Sequence, residues 1–429
     1  MRRAAGLGAL ALVVRVAFVL AVDRPSLPSG GVLTKAITDR LMAEGLFNDA
    51  FFYHRTADLL ASGHGFSSNP GVPTAQWPPV FPALLSLVYR VTGPEPLAGE
   101  LLNAFHGALT VPALYLLVTR VFGRLEATIA AAALAVLPGQ ILWAGVLLSE
   151  VLYGLVLVGF FLLVSVLPRR PWTPLALGLA IGLATLTRGE AILLVPAMVA
   201  IWWPALPRRQ LLGWSAALAA AALLTIAPWS IRNTTAMDSF VPLSTNSSTT
   251  LWSGHNPRAA GAQIYAPPSL LRQIPQTGKE REIEEGKLLR REAFDYMTSH
   301  PVRELELIPL KLLNLNRGDS FGLEWVNAGP PPTRPIGHDL VTPIAVTADL
   351  GYYALLGATL LSLVLFGREL WRRDIVRGVL VLFAGALVMY GFVYYGNYRY
   401  RAPLEPLMLL VAAPLLARLG SLRAVPGGA

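Results

Sequence analysis

Ten polar residues, scattered over 350 positions, have the types that do chemistry at a membrane surface. Asp49 sits in the stretch N-D-A-F-F-Y-H-R, with Tyr53 and His54 close behind it. Glu150 follows Ser149 at the head of an apolar run. Arg188 and Glu190 form a T-R-G-E corner between two short apolar runs. Arg232 and Asn233 close A-P-W-S-I-R-N, and Arg399 and Arg401 lie in Y-G-N-Y-R-Y-R-A-P-L-E-P. A carboxylate can take a proton from a hydroxyl. Guanidinium forks grip phosphate oxygens two at a time. A carboxylate within a ring of guanidinium groups therefore reads as a general base beside a site for an anionic group.

Each residue also has a plainer role. Asp49 is a preferred helix N-cap. Arg188 and Glu190 make a turn with its own salt bridge. Arg232, Arg399 and Arg401 are suited to anchoring helix ends at lipid headgroups. For a single arginine the anchor is the simpler reading, but for all of them together it leaves the grouping unexplained.

Other chemistries find less support. The chain has no cysteine, which removes disulfides, thiolate metal sites and cysteine nucleophiles. Its six histidines are scattered without H-E-x-x-H or similar spacing. His54 and His64 with Asp49 or Asp58 lack the spacing of a zinc site, and no glycine-rich phosphate loop is present. No cofactor is expected, and a divalent ion held by these residues stays open without support from their spacing.

The elements that must position these residues are membrane helices. Of 429 residues, 54% are hydrophobic and 14% charged, where a soluble protein carries roughly 25% charged. The net charge of +9 fits arginine in cytoplasmic loops better than a nucleic-acid partner. Apolar runs mark about ten spans: Ala4–Val22, Leu101–Thr119, Ala127–Trp143, Val146–Leu167, Leu175–Leu186, Ala191–Trp203, Leu211–Trp229, Ile344–Phe366, Val376–Tyr395 and Pro403–Ala417. The opening M-R-R and its apolar run read as a retained first span instead of a cleaved leader. Arg15, inside that span, either snorkels or faces a cavity.

Arginine parity tests the count. Arg2 and Arg3, Arg120 and Arg124, Arg169 and Arg170, Arg208 and Arg209, the cluster from Arg368 to Arg377, and Arg418 with Arg423 all fall on one side, as the positive-inside rule requires. Counting Pro78–Val91 as a further span would invert this pattern, so that segment is expected to lie along the interface. The opposite, outer side then receives the loop 23–99, the corners at Glu150, Arg188 and Arg399, and the long polar segment 231–342. That segment holds a charged helical stretch, Lys279–Ser299, and a proline-rich loop, Gly329–Pro335. The expected organisation is a catalytic membrane module over 1–230 with its first outer loop, an outer segment over 231–342, and C-terminal spans over 343–429.

At these residues the chain resembles the GT-C superfamily of membrane glycosyltransferases. Within it, the resemblance is to the bacterial branch related to protein O-mannosyltransferases and lipid A aminoarabinose transferases. Matching residues in the first loop are Asp49, Tyr53, Ala57, Leu60, Gly63-His64-Gly65, Trp77-Pro78-Pro79 and Pro82. Leu148-Ser149-Glu150, T-R-G-E, P-W-S-I-R-N, V-P-L-S-T-N-S-S-T-T-L-W-S-G-H-N-P and R-Y-R-A-P-L-E-P follow in order, to about Leu416. The resemblance implies an all-α polytopic GT-C fold in a bacterial plasma membrane, with the active site on the outer face. It implies a polyprenyl-phosphate-linked sugar donor and a lipid, glycan or protein hydroxyl as acceptor. Asp49 takes the place of the catalytic base and Glu150 that of a second active-site acid. Arg188 with Arg399 or Arg401 would hold the donor phosphate, and Tyr53, His54, Glu190, Arg232 and Asn233 fall among the substrate-binding positions. In one departure, Asn48-Asp49 replaces the acidic pair of protein mannosyltransferases, which points away from a protein acceptor and a mannose donor.

Two rivals share the helical content. A transporter or flippase should show internal repeats and charges near mid-membrane, and this chain shows no repeat. A glycan ligase of the same superfamily carries its catalytic features in a late large loop instead of the first one.

Overall fold

The structure is a computed structural model that describes residues 2–22, 27–43, 48–327 and 336–423, with the side chains of Lys35, Ala43, His338 and 421–423 outside that description. The start of the first loop and the proline-rich run Gly329–Pro335 lie outside the described residues. What is described is almost wholly helical, apart from a two-stranded antiparallel ribbon, Ser67–Asn69 with Val72–Pro73. Helices satisfy their own backbone groups, which lipid cannot do for them.

Six helices are long and apolar enough to cross a membrane: Arg2–Ala21, Pro96–Val121, Arg208–Met237, Asp339–Arg372, Asp374–Val393 and Tyr398–Gly420. The pair Arg124–Val136 and Pro138–Gly145, bent by 54°, makes a seventh if counted as one span. The other three expected spans are shorter apolar helices, Glu150–Val166, Thr173–Thr185 and Gly189–Trp202. About ten therefore divides into seven of full length and three short ones. Val80–Thr92, the segment expected at the interface, is a short apolar helix packed beneath Asp49–Ala61, with the Tyr53 and Phe81 rings edge to face at 5.1 Å.

Close packing holds the spans, because lipid supplies no hydrophobic drive between helices. Thr173–Thr185 lies against Arg208–Met237 through Gly178 and Gly182, a G-x-x-x-G pair. A Cβ on Gly178 would sit 2.4 Å from the Leu218 carbonyl oxygen, and one on Gly182 2.4 Å from Thr225 Cβ. Arg15 is buried within the bundle instead of reaching out along its helix. Its guanidinium donates to the Ala135 and Leu134 carbonyls at 3.0 and 3.1 Å. Those carbonyls end the helix that bends at Pro138, so Arg15 closes the C-terminus of a broken span.

The corners separate to two ends of the bundle. At one end Arg169 pairs with Asp374 at 2.8 Å, Arg377 donates to the Ala200 carbonyl at 2.8 Å, and Arg373 donates to that of Val121. At the other end the Asp49, Glu150, Arg188 and Arg399 corners meet. Arg169, Arg373 and Arg377 thus lie at the end of their helices opposite to the polar corners.

The long polar segment clamps the first loop. The charged stretch forms Gly278–Ser299. Its Glu282 accepts from Thr74 Oγ1 at 2.7 Å, the Ala75 amide at 2.9 Å and Thr245 Oγ1 at 2.6 Å. His255, between Glu304 at 2.6 Å and the Val393 carbonyl at 3.0 Å, ties Pro301–Leu315 to the corner that leads into Arg399.

Candidate active site

Asp49 opens the helix Asp49–Ala61 without capping it. Asn48 is the N-cap, extended at φ −137°, and its Oδ1 accepts the Phe51 amide at 3.2 Å. The cap reading therefore passes from Asp49 to its neighbour. The Asp49 carboxylate is left to accept from Arg399 Nη1 at 2.5 Å, and its side chain keeps 27% of its exposure.

From Asp49 an unbroken chain of charges runs into the bundle. Arg399 Nε donates to Glu150 Oε1. The same oxygen meets Arg188 Nη1 at 2.8 Å. Arg188 Nη2 reaches Glu190 Oε1 at 2.9 Å, and Tyr390 donates its hydroxyl to that oxygen at 2.8 Å. Four segments of sequence supply this chain: the first loop, the head of Glu150–Val166, the T-R-G-E corner and the turn Tyr398–Arg401. Arg188, Arg399 and Glu150 are all buried, at 8%, 6% and 2% exposure. Three carboxylates face two guanidinium groups, so the chain carries one net negative charge. Such a buried array persists because each charge has a partner, and removing one member strands the others.

Aromatic rings enclose it. The Arg188 guanidinium lies 5.9 Å from the Tyr153 ring and 5.8 Å from that of Tyr400. Arg399 lies 5.3 Å from Trp325. Tyr390 stacks on Tyr400 at 4.7 Å. Glu150 Oε2 is buried with no hydrogen-bond partner among the described residues, and a buried acceptor in that state calls for a ligand or water.

The remaining expected residues divide. Tyr53 joins the edge of the array through a 3.3 Å hydrogen bond with Ser149 Oγ, which also accepts from Arg188 Nη1 at 3.3 Å. His54, one position on, turns away. Its Nδ1 bonds the Tyr89 hydroxyl at 2.8 Å, and burial pulls its pKa down to about 4. Arg232 donates to the Thr74 and Phe66 carbonyls at 2.6 Å each and stacks over Phe66 and Trp229. Asn233 donates to the Leu243 carbonyl at 3.1 Å. Arg232 thus holds the first loop and Asn233 the start of the outer segment, and neither enters the charge chain. Arg401 belongs to a separate buried group, donating to Glu405 at 3.2 Å, Asp319 at 3.2 Å and the Gly318 carbonyl at 2.7 Å. Among the described residues no cluster of three His, Cys, Asp or Glu could hold a metal ion.

A cavity of about 410 Å³ is bordered by Asn48, Asn397 and Tyr398, chain neighbours of Asp49 and Arg399, and by Trp325, over which Arg399 lies. Asn397 also caps the turn that carries Arg399, accepting its amide at 2.9 Å. Gly396 lets this corner close, since a Cβ there would lie 1.7 Å from the Lys311 carbonyl oxygen. Tyr390, Trp325 and the cavity walls were not expected from sequence. Their aromatic residues at span ends look the same as an ordinary interfacial belt.

Residues 76–232 match the family described as dolichyl-phosphate-mannose-protein mannosyltransferase. No curated protein sequence matches the chain. In fold it is similar to the oligosaccharyltransferase of Archaeoglobus fulgidus in its apo form, at TM-score 0.53 and 15% identity, covering 98% of this chain and 51% of that one. The archaeal AglB from the same organism, in complex with an inhibitory peptide and a dolichol-phosphate, gives TM-score 0.51 and 14% identity over 99% of this chain and 52% of that one. ArnT from Cupriavidus metallidurans bound to undecaprenyl phosphate gives TM-score 0.42 and 17% identity over 97% of this chain and 78% of that one. The chain spans about half the length of the archaeal enzyme. It has the GT-C fold of membrane glycosyltransferases.

Proposed function

We propose that this chain is a membrane glycosyltransferase that moves a sugar from a polyprenyl-phosphate-linked donor to an acceptor hydroxyl, on the outer face of a bacterial plasma membrane. The observation that carries the reading is the Asp49–Arg399 pair, part exposed and beside a cavity, at the end of a buried chain of charges.

The reaction is a single inverting displacement. The acceptor oxygen attacks the anomeric carbon from the face opposite the lipid phosphate. A C–O bond forms to the acceptor, the bond from the anomeric carbon to the phosphate oxygen breaks, and its electron pair leaves with the phosphate. Asp49 takes the acceptor proton. Arg399 stabilises the leaving phosphate, and a preorganised cation at a developing anion is usually a large catalytic term. When the phosphate engages Arg399 Nη1, it displaces Asp49 from that donor and leaves the carboxylate free to meet the acceptor hydroxyl. Glu150 and Arg188, buried behind Arg399, hold its guanidinium plane. Arg188 therefore supports the phosphate site from within, and Arg401 is removed from it by its own partners.

A transporter reading is weaker, because the charges gather at one end of the bundle instead of midway along it. The test is Asp49→Asn in the full chain, reconstituted with a polyprenyl-phosphate sugar. Transfer should fall by about two decades or more, while the protein remains folded and still binds the donor. Near wild-type transfer would sink the assignment.

A further inference from the structure

The cavity beside Asp49 has walls of a particular chemistry. Tyr265, Phe321, Trp325 and Tyr398 supply rings, and Gln263 and Asn314 supply carboxamides. Phe321 lies 4.3 Å from Tyr398, tilted by 59°, and 6.0 Å from Trp325, edge to face, so the three form one aromatic cluster with faces turned in different directions. The charged pair Arg317 and Glu324 lines the same space. At about 410 Å³ the volume falls within the roughly 300–1,000 Å³ of small-molecule sites.

Three classes of acceptor meet these walls differently. A sugar ring has an apolar face of C–H groups and an edge of hydroxyls, each a donor and an acceptor. Rings suit the face, and carboxamides, which both donate and accept, suit the edge. An acyl chain wants an unbroken apolar lining, which the carboxamides and the two charges interrupt. A peptide that binds by adding a strand needs a free strand edge, and the strands among the described residues, Ser67–Asn69 and Val72–Pro73, do not line this cavity.

Position separates acceptor from donor. The cavity borders the Asp49 end of the charge chain. Asn48 and Tyr398 are sequence neighbours of Asp49 and Arg399, Trp325 underlies Arg399, and exposed Tyr265 lies within electrostatic reach of both charges. The partners of Arg188 (Glu150, Glu190, Ser149, Tyr153 and Tyr400) do not line it. An acceptor hydroxyl must meet the base, and this cavity reaches the chain neighbours of both Asp49 and Arg399.

We infer that the cavity walled by Trp325, Tyr398 and Asn314 is the acceptor subsite and that it takes a carbohydrate, so that the acceptor is a glycan. The inference rests on the glycosyltransferase reading given above and names the acceptor class for it. Its sugar ring packs against one face of this aromatic cluster and presents one hydroxyl to Asp49.

The test reads binding without turnover. The full chain, in a detergent with no sugar headgroup, is titrated with mannotriose, maltotriose and a serine/threonine-rich nonapeptide, followed by saturation-transfer NMR. At least one trisaccharide should bind, with transfer to its C–H protons, and the nonapeptide should not. Trp325→Ala and, as a milder change, Asn314→Ala should each lower trisaccharide affinity tenfold or more. Farnesyl-phosphoryl mannose should leave the bound trisaccharide in place. Failure of both trisaccharides to bind, peptide binding lost in the same variants, or trisaccharide affinity unchanged in both variants would each overturn the proposal. Displacement by the farnesyl donor would overturn it too, by making the cavity the donor's. Because donor and turnover are not needed, loss of the Asp49 assignment would leave a positive result standing. Sugar transfer to the nonapeptide by a chain that binds no trisaccharide would remove the subsite alone.

Discussion

Arg399 and Arg401 stand two residues apart on one helical turn and serve separate buried networks. Arg399 Nη1 reaches Asp49 at 2.5 Å, while Arg401 reaches Glu405 and Asp319 at 3.2 Å each. At about 100° per residue, positions two apart face nearly opposite sides of a helix. Lysine should separate the two roles, because one ammonium cannot reproduce a guanidinium that bridges two carboxylates. Arg399→Lys should lower transfer by about two to three decades with a smaller effect on the unfolding midpoint. Arg401→Lys should do the reverse, lowering the midpoint more than kcat/KM. The opposite ranking, from parallel activity and thermal-unfolding measurements, would return the phosphate role to Arg401.

Arg188 is predicted to be structural before it is catalytic. Both its terminal nitrogens are occupied by Glu150 and Glu190, at 2.8 and 2.9 Å. Arg188→Ala leaves the buried Glu150 and the half-buried Glu190 short of a partner and should cost about 3 kcal/mol of stability. Glu190→Gln in the same chain should recover part of that loss, since it removes one stranded charge. Chemical unfolding of the two single variants and the double variant measures the coupling. Purely additive losses would contradict a shared ion-pair network.

The legible part of this molecule was its membrane logic. Apolar runs gave the helices, arginine parity gave the two ends, and the polar corners at Asp49, Glu150, Arg188 and Arg399 do converge. Pairing within the site was less legible, because partners such as Glu150 and Arg399 lie 249 positions apart and no local pattern encodes such a contact. Some of what was missed had a local signal. Asn48 is as good an N-cap as Asp49, and a helical reading of Y-R-Y-R already sends its two arginines to different faces. Arg232, by contrast, carries the same sequence signal as Arg399. Only the packing of the first loop against Arg208–Met237 shows that it holds backbone carbonyls at Thr74 and Phe66.

His54 gives the chain a pH signature that the charge chain does not share. It is fully buried against Tyr89, and burial pulls its pKa from 6.5 down to about 4. Nearby Asp58 pulls the other way without overcoming burial. The folded pKa lies below the unfolded one, so the unfolded chain takes up the proton first as pH falls. His54 therefore favours folding fully above about pH 6.5, and this contribution is lost as pH drops towards 4. A shift of that size is worth on the order of 3 kcal/mol. His54→Gln stays neutral and can still bond Tyr89, so it should flatten the fall in unfolding midpoint between pH 6.5 and 4. Transfer activity near pH 7 should change little, since His54 faces away from Asp49. If the variant and the wild type lose stability in parallel across that range, some other group titrates there.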